Sequence, residues 1–474
     1  MSGALVALLA ALVAGVSGGC SGCASAPTEP ESTTRTVARC SWSYFGDARA
    51  VLLRGRVFTA CVGTDGRSML EDYDPATGRR RLTTIFEPLE VDDHNNPSLV
   101  VFHGRLMAFS APHSGYRYPL NRHSRMRYRT LLDPDSGRWS AVRRVPLTTG
   151  CGLGYTYPNP VVSGSRLYLF MRGPCWRPYF TWTLDGRTWA PAQTLVRAPS
   201  DRLRDSSRDG RFVRPYAKYA GTATGVLMAL SDGHPASYKS SIYFGELRAD
   251  GVYGADGRRL ARLDELPLHF AQLDRVHAYS WRDGRAWPMD VARGADGRPV
   301  IAYTALRGVQ DTFRYATFDG RAWSTRPIVA AGRTLFSYHN SGVTLDHEDP
   351  TRLVLSRTIG EQNEIEMRET ADRGATWVTT PLTRRSSAFN IRPVIARGER
   401  AGVPPVVLWV AGSARSFREY DTAVLMAIPS AIHRIWRSTK ERCSEAVGSR
   451  GRSDAAGWAS CTGPGSSSST ASSP

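Results

Sequence analysis

Two histidines and a few arginines stand where a chain could move protons and hold an anion. His94 lies in Asp92-Asp-His-Asn-Asn-Pro97, an Asn/Asp-rich loop just ahead of the apolar run Ser98–Phe102. His113 follows the next apolar run, in Phe109-Ser-Ala-Pro-His113. Imidazole titrates closest to neutrality, so either ring suits a general acid or base. The plainer alternative is a ring that only hydrogen-bonds its own loop. Arg172 ends the apolar run Leu167–Met171. A guanidinium there is costly without a partner, so it sits in a buried ion pair or faces an anionic ligand. Arg214, in Arg-Pro-Tyr-Ala-Lys218, offers a second guanidinium beside Tyr216 and Lys218. Arg314 alternates with Phe313 and Tyr315, so a strand puts it on the opposite face from both. Arg214 and Arg314 also read as solvated arginines in an arginine-rich chain.

The rest of the composition bounds what those residues could serve. Of 474 residues, 41% are apolar and 22% charged, ordinary globular usage that excludes a wholly disordered or fibrous chain. Lys and Arg number 61 against 43 Asp and Glu, a formal net charge of +18. The basic residues are scattered singly through turns and form no stripe with aromatic spacing, so no nucleic-acid partner is expected. A positive field on an exported chain suits an acidic polysaccharide or oligosaccharide. No Walker loop, dinucleotide-binding glycine pattern or HExxH occurs. A glycosidase would need a carboxylate pair. Glu361, Glu364 and Glu366 cluster, but Glu364 and Glu366 have strand spacing and read as part of a sheet.

Residues 2–19 are small and apolar and precede a Ser/Thr/Pro/Glu-rich stretch, so residues 1–23 read as a signal or lipoprotein-like segment and 24–38 as a linker. The expected location is secreted or lipid-anchored at the cell surface through Cys20, with no other membrane contact. Residues 429–474 are expected to form a mostly disordered Ser/Gly-rich tail. Cys40–Cys61 and Cys151–Cys175 are plausible hairpin-sized disulfides, and four free thiols are the alternative.

One turn recurs through the middle: Asp, Gly, a basic residue, then Trp. It appears at Asp135–Trp139, Asp185–Trp189, Asp283–Trp287, Asp319–Trp323 and Asp372–Trp377, with weaker copies at Asp74–Gly78 and Asp250–Tyr253. Asp folds back on its own backbone, Gly takes the positive φ, and the aromatic re-enters the next strand. Hairpin pairs every 50–70 residues, roughly the length of four strands, predict an all-β chain whose residues 39–428 form a single β-propeller, seven-bladed and monomeric.

Thr370-Ala-Asp372-Arg-Gly374-Ala-Thr376-Trp377 matches the Asp-box (BNR) pattern of sialidase-like propellers. Longer stretches resemble the BNR-repeat family that includes ulvan lyases and rhamnosyl-glucuronate lyases. Among them are Asp92–Ser98, Tyr155–Pro160, Leu167–Gly173, Arg214–Tyr219, Ser231–Pro235, Ala286–Asp290, Ser341–His347 and Asn390–Pro393. The resemblance implies cleavage of a rhamnose–glucuronate linkage by β-elimination. An Arg neutralises the uronate carboxylate, a base takes the C5 proton and a donor serves the departing oxygen. It nominates His94 as the first choice for general base or acid, His113 as the second proton carrier, and Arg172, Arg214 and Arg314 for the carboxylate. Asn95, Asn159, Tyr216, Lys218, His234 and His339 become substrate-binding candidates. No cofactor is required, and a structural calcium is allowed without a ligand set that identifies it. The chain departs from relatives at Met171, where they tend to have Trp, and at Tyr338-His339-Asn340. The alternatives are a carbohydrate-binding propeller without chemistry and a sialidase-like hydrolase. The second lacks the early Tyr/Phe-Arg-Ile-Pro segment that such enzymes usually carry.

Overall fold

Seven antiparallel sheets follow one another along the chain, each built mainly from consecutive strands. The computed structural model describes residues 32–113, 126–147, 154–197, 214–235, 239–307, 311–332, 341–398 and 405–429. The innermost strands are Ala50–Leu53, Ser98–Phe102, Thr156–Ser163, Tyr216–Gly221, Arg285–Arg293, Val343–Leu345 and Phe389–Ile395, opening blades 1 to 7 in order. The expected seven-bladed propeller is the fold. The signal-like segment, the tail beyond Pro429, His339 and the Cys151–Cys175 pairing lie outside the described residues.

Closure corrects one sequence expectation. Ser32–Ala38, expected within the linker, is a strand that pairs antiparallel with Glu419–Pro429 and completes blade 7. Its Thr and Val residues favour extended backbone. The outer edge of blade 7 also leaves unpaired backbone groups that a strand from the other terminus satisfies. Seven apolar clusters lie at the seven blade junctions. Between blades 3 and 4, for example, Phe170 stacks on Tyr219 at 4.2 Å.

The Asp-Gly turns sit where the third strand of a blade passes to the fourth. Asp372 accepts from Thr370 Oγ1 and Thr376 N at 2.8 Å each, and Gly374 takes φ +82°. The copy at Asp283 is different. It leads into the inner strand Arg285–Arg293, so Trp287 is buried at the axis rather than at a rim turn. Letters alone could not separate these positions, because each needs only a tight turn before a strand.

Residues 40–49 cross from the closing strand to blade 1 and are all buried. They plug the axis. Trp42 Nε1 donates to the Arg392 carbonyl, Asn159 Nδ2 to the Phe45 carbonyl, and Ser43 N to Asn96 Oδ1, so blades 7, 3 and 2 hold the segment. The Cys40–Cys61 disulfide ties it to blade 1.

Candidate active site

Strand direction alternates within a blade, so starts of inner strands and ends of second strands meet on one face. His94 precedes the inner strand of blade 2, and His113 follows its second strand, Arg105–Ser110. Their rings stack with centroids 4.0 Å apart and 9° between planes. Asp92 caps the short turn Asp93–Asn95 by accepting from His94 N. Its carboxylate also receives His94 Nδ1 at 2.8 Å, His113 Nδ1 at 2.9 Å and Arg418 Nε at 3.3 Å. A carboxylate only accepts, so both Nδ1 atoms carry protons and a neutral His113 keeps its lone pair on Nε2.

The two rings titrate in opposite directions. Burial would lower His94, but Asp93 and Asp92 outweigh it and raise it to about 9. Burial lowers His113 to about 4, helped by the charge on His94. Asp93 is buried but stays below the usual carboxylate range, because Arg392 and His94 lie against it. At neutral pH the pair is therefore an imidazolium beside a neutral imidazole. Phe417, at a hairpin tip of blade 7, meets both rings edge-on at 5.1 and 5.6 Å, and its carbonyl accepts Asp93 N.

Arg172 ends the second strand of blade 3 and is buried. Its guanidinium carbon lies 4.4 Å from the Tyr157 ring centroid, 4.6 Å from Trp176 and 5.4 Å from Tyr216, and it donates to the Tyr216 hydroxyl at 3.2 Å. Among the described residues no carboxylate pairs with it. Arg214 stacks over the Trp176 ring, its guanidinium carbon 3.9 Å from the centroid. A hollow of about 20 Å³ between Phe45, Tyr157, Arg172 and Tyr216 admits a small polar group rather than a sugar ring.

Three side chains here stand on left-handed backbone: Tyr157 at φ +56°, Trp176 at +60° and Arg392 at +53°. The inner strands of blades 3 and 7 shift register at Thr156/Asn159 and Ile391/Val394, so bulges aim Tyr157 and Arg392 inward. Each such residue costs about 1–3 kcal/mol and persists only where its surroundings over-determine it.

The structure thus gathers His94, His113, Arg172 and Tyr216 around the Tyr157 ring, with Arg214 on Trp176 and the His234 ring 5.3 Å from Tyr216. Of the predicted residues, Arg172, Tyr216 and Asn159 line the hollow itself. Asn95 and Asn159 lie beside it in a framing role: Asn95 accepts from His113 N, and Asn159 holds the plug at Phe45 and Asp47. Lys218 departs from its expected place. It is buried on Asp47 at 2.6 Å and on the Tyr44 carbonyl, because two residues along the strand from Tyr216 carry it deeper on the axis. Arg314 also lies elsewhere, among Tyr303, His277 and Asp283, none of which belongs to the His94 group. Sequence reasoning missed Tyr157, Trp176, Arg392, Arg418 and Phe417. Asp92 and Asp93 were legible as neighbours of His94, whereas the hairpin tip 326 residues from Asp92 left no signal.

Ligand atoms of Asp92, His94 and His113 lie within 4.8 Å of one another. They fit a cation poorly, since both Nδ1 protons are committed to Asp92, and Arg418 and Arg392 already neutralise the two carboxylates.

No protein-family model and no curated protein matches this chain. Among solved structures, an ulvan lyase bound to -[GlcA(1-4)Rha3S]- is similar over 85% of this chain and 99% of its own, with a TM-score of 0.59 and 13% identity. The polysaccharide lyase Uly1 is similar over 82% and 92%, with a TM-score of 0.51 and 11% identity. A lectin, BP39L from Burkholderia pseudomallei, reaches 0.50 at 10% identity over 82% and 97%. At such identities the likeness is one of fold: a seven-bladed propeller, found alike in these two lyases and in the lectin.

Proposed function

We propose that this chain is an exported polysaccharide lyase that cleaves a uronate-containing glycan by β-elimination, with a rhamnose–glucuronate linkage as its target. The observation that carries the reading is Arg172, a buried guanidinium walled by three aromatic rings and without a carboxylate partner among the described residues. A substrate carboxylate supplies the missing anion, and its neutralisation acidifies the C5 proton. His113 Nε2 takes that proton as the C4–C5 double bond forms and the C4–O bond breaks. Tyr157, whose hydroxyl burial holds well above its ordinary pKa, stays protonated and donates to the departing oxygen. The proton then passes from His113 back to Tyr157 through solvent. His94, first choice for the base in the sequence, is already charged and instead fixes the His113 ring and stabilises developing negative charge.

The test is ultraviolet absorbance of unsaturated uronate during incubation with ulvan and with gum arabic. Wild-type protein produces a rise on one of them, and His113→Ala abolishes it. Silence on both, with glycan still retained by wild-type protein, replaces the lyase with a binding propeller.

A further inference from the structure

We propose a second, non-catalytic site for an acidic saccharide on the opposite face, in a cleft between blades 2 and 3. The cleft measures about 290 Å³, near the lower bound of roughly 300 Å³ for small-molecule pockets. Its floor is the Phe102 and His103 rings, stacked at 3.9 Å with 23° between planes, together with Met107. Phe102 is buried and backs the ring, so the exposed His103 is the flat surface offered to the C–H face of a sugar. Arg105, Arg143 and Arg187 stand exposed around that floor, and no carboxylate among the described residues pairs with any of them.

The one carboxylate in the lining, Asp185, is occupied by its own turn. It accepts from Arg187 N and Thr188 N at 2.7 Å each, and from the Thr183 and Thr188 hydroxyls at 2.9 Å each. Gly186 sets that turn directly on the floor: a Cβ there would lie 3.5 Å from Met107 and 3.7 Å from Phe102. One exposed guanidinium holds an anion weakly. Three converging on an aromatic floor offer several charge-assisted contacts to a carboxylate- or sulfate-bearing sugar.

The strand Arg105–Ser110 runs from this cleft towards His113, so about 20 Å separates the two sites. A short oligosaccharide fills one of them, whereas a polymer bound here raises its local concentration at the other face. The site rests on the acidic-glycan part of the proposed function and not on the elimination chemistry.

Native gels cast with ulvan, desulfated ulvan or neutral dextran test it. The Arg105→Ala/Arg143→Ala/Arg187→Ala protein loses at least tenfold in apparent affinity for an acidic glycan but keeps its rate on a short soluble oligosaccharide. Arg67→Ala/Arg321→Ala/Arg326→Ala, of equal charge change, stays close to wild type. Which acidic gel retards the protein names carboxylate or sulfate as the anion. Equal loss in both triple variants, equal retardation by dextran, or no retardation of wild-type protein by either acidic glycan overturns the site. Cleft-dependent retardation without unsaturated product leaves the site standing and removes the lyase.

Discussion

Two clusters of buried charge lie on the axis of this propeller, one touched by the Phe45 ring directly and the other through Tyr216, and they are wired in opposite ways. In the deeper cluster every basic side chain rests on a carboxylate. Asp47 takes Arg49 at 2.9 Å and Lys218 at 2.6 Å, while Asp290 takes His347 at 2.9 Å and Arg397 at 3.7 Å. Burial alone would raise both carboxyls, yet these cations hold them well below the usual range. In the upper cluster Asp92 and Asp93 absorb His94, Arg392 and Arg418, and among the described residues no carboxylate is left for Arg172. A closed set of charges contributes to the fold, whereas the proposed function uses the surplus buried cation to hold a substrate carboxylate. Residue type does not separate the two clusters, since both are made of Asp, His and basic side chains.

Substituting one cation in each cluster separates them most sharply. Arg172→Ala lowers kcat/KM on the uronate glycan by about 10³-fold, roughly 4 kcal/mol of transition-state stabilisation, with unfolding free energy unchanged or slightly raised. Lys218→Met does the reverse, costing about 3 kcal/mol in chemical denaturation by stranding Asp47 with Arg49 alone, while folded protein keeps its turnover. If Arg172→Ala destabilised as much as Lys218→Met, the two clusters would be alike and Arg172 would not be surplus.

A smaller effect probes the plug that carries Asp47 and Arg49. Removing the Cys40–Cys61 bridge, which closes a separation of 21 residues, costs about 2–3 kcal/mol of stability. The Cys40→Ser/Cys61→Ser protein, assayed below its lowered Tm, retains wild-type kcat, because the upper cluster hangs from blades 2, 3, 4 and 7. A fall in kcat with unchanged Tm would instead make the plug part of the chemistry.

A further contrast lies in pH. His94 ordinarily titrates at 6.5 and is raised to about 9 in the fold, so across that interval native chains hold a proton that unfolded chains have lost. Its contribution is complete below 6.5 and disappears as pH rises through about 9. His113, lowered to about 4, acts in the other window: stability falls as pH drops from 6.5 towards 4. Urea unfolding of wild type beside His94→Gln therefore shows a stability gap that narrows between pH 6.5 and 9. A constant gap would mean a neutral His94 and would return it to contention as the base.

Much of this was legible along the chain. The Asp-Gly turns before aromatics reported hairpins, and their spacing reported blades, because a turn is decided by neighbouring residues. His94, His113 and Arg172 were legible too, His94 by its place ahead of an inner apolar run and the other two by theirs at the finish of a second run, which in alternating strands is the same face. The disulfide Cys40–Cys61 was one of two pairings that hairpin-sized spacing allowed.

The tertiary structure decided what spacing could not. Lys218 and Tyr216 stand two residues apart in one strand, yet one is committed to Asp47 and the other to Arg172. Whether a cation is spent or surplus depends on which carboxylates other blades bring to it. Those partners are 171 residues away for Lys218 and 299 for Arg392. The charge on His94 likewise belongs to Asp92 and Asp93 together with the burial that strengthens their pull, so its protonation followed from the fold. Local conformation is written in short stretches of sequence, but electrostatic pairing is a property of groups that only folding makes neighbours.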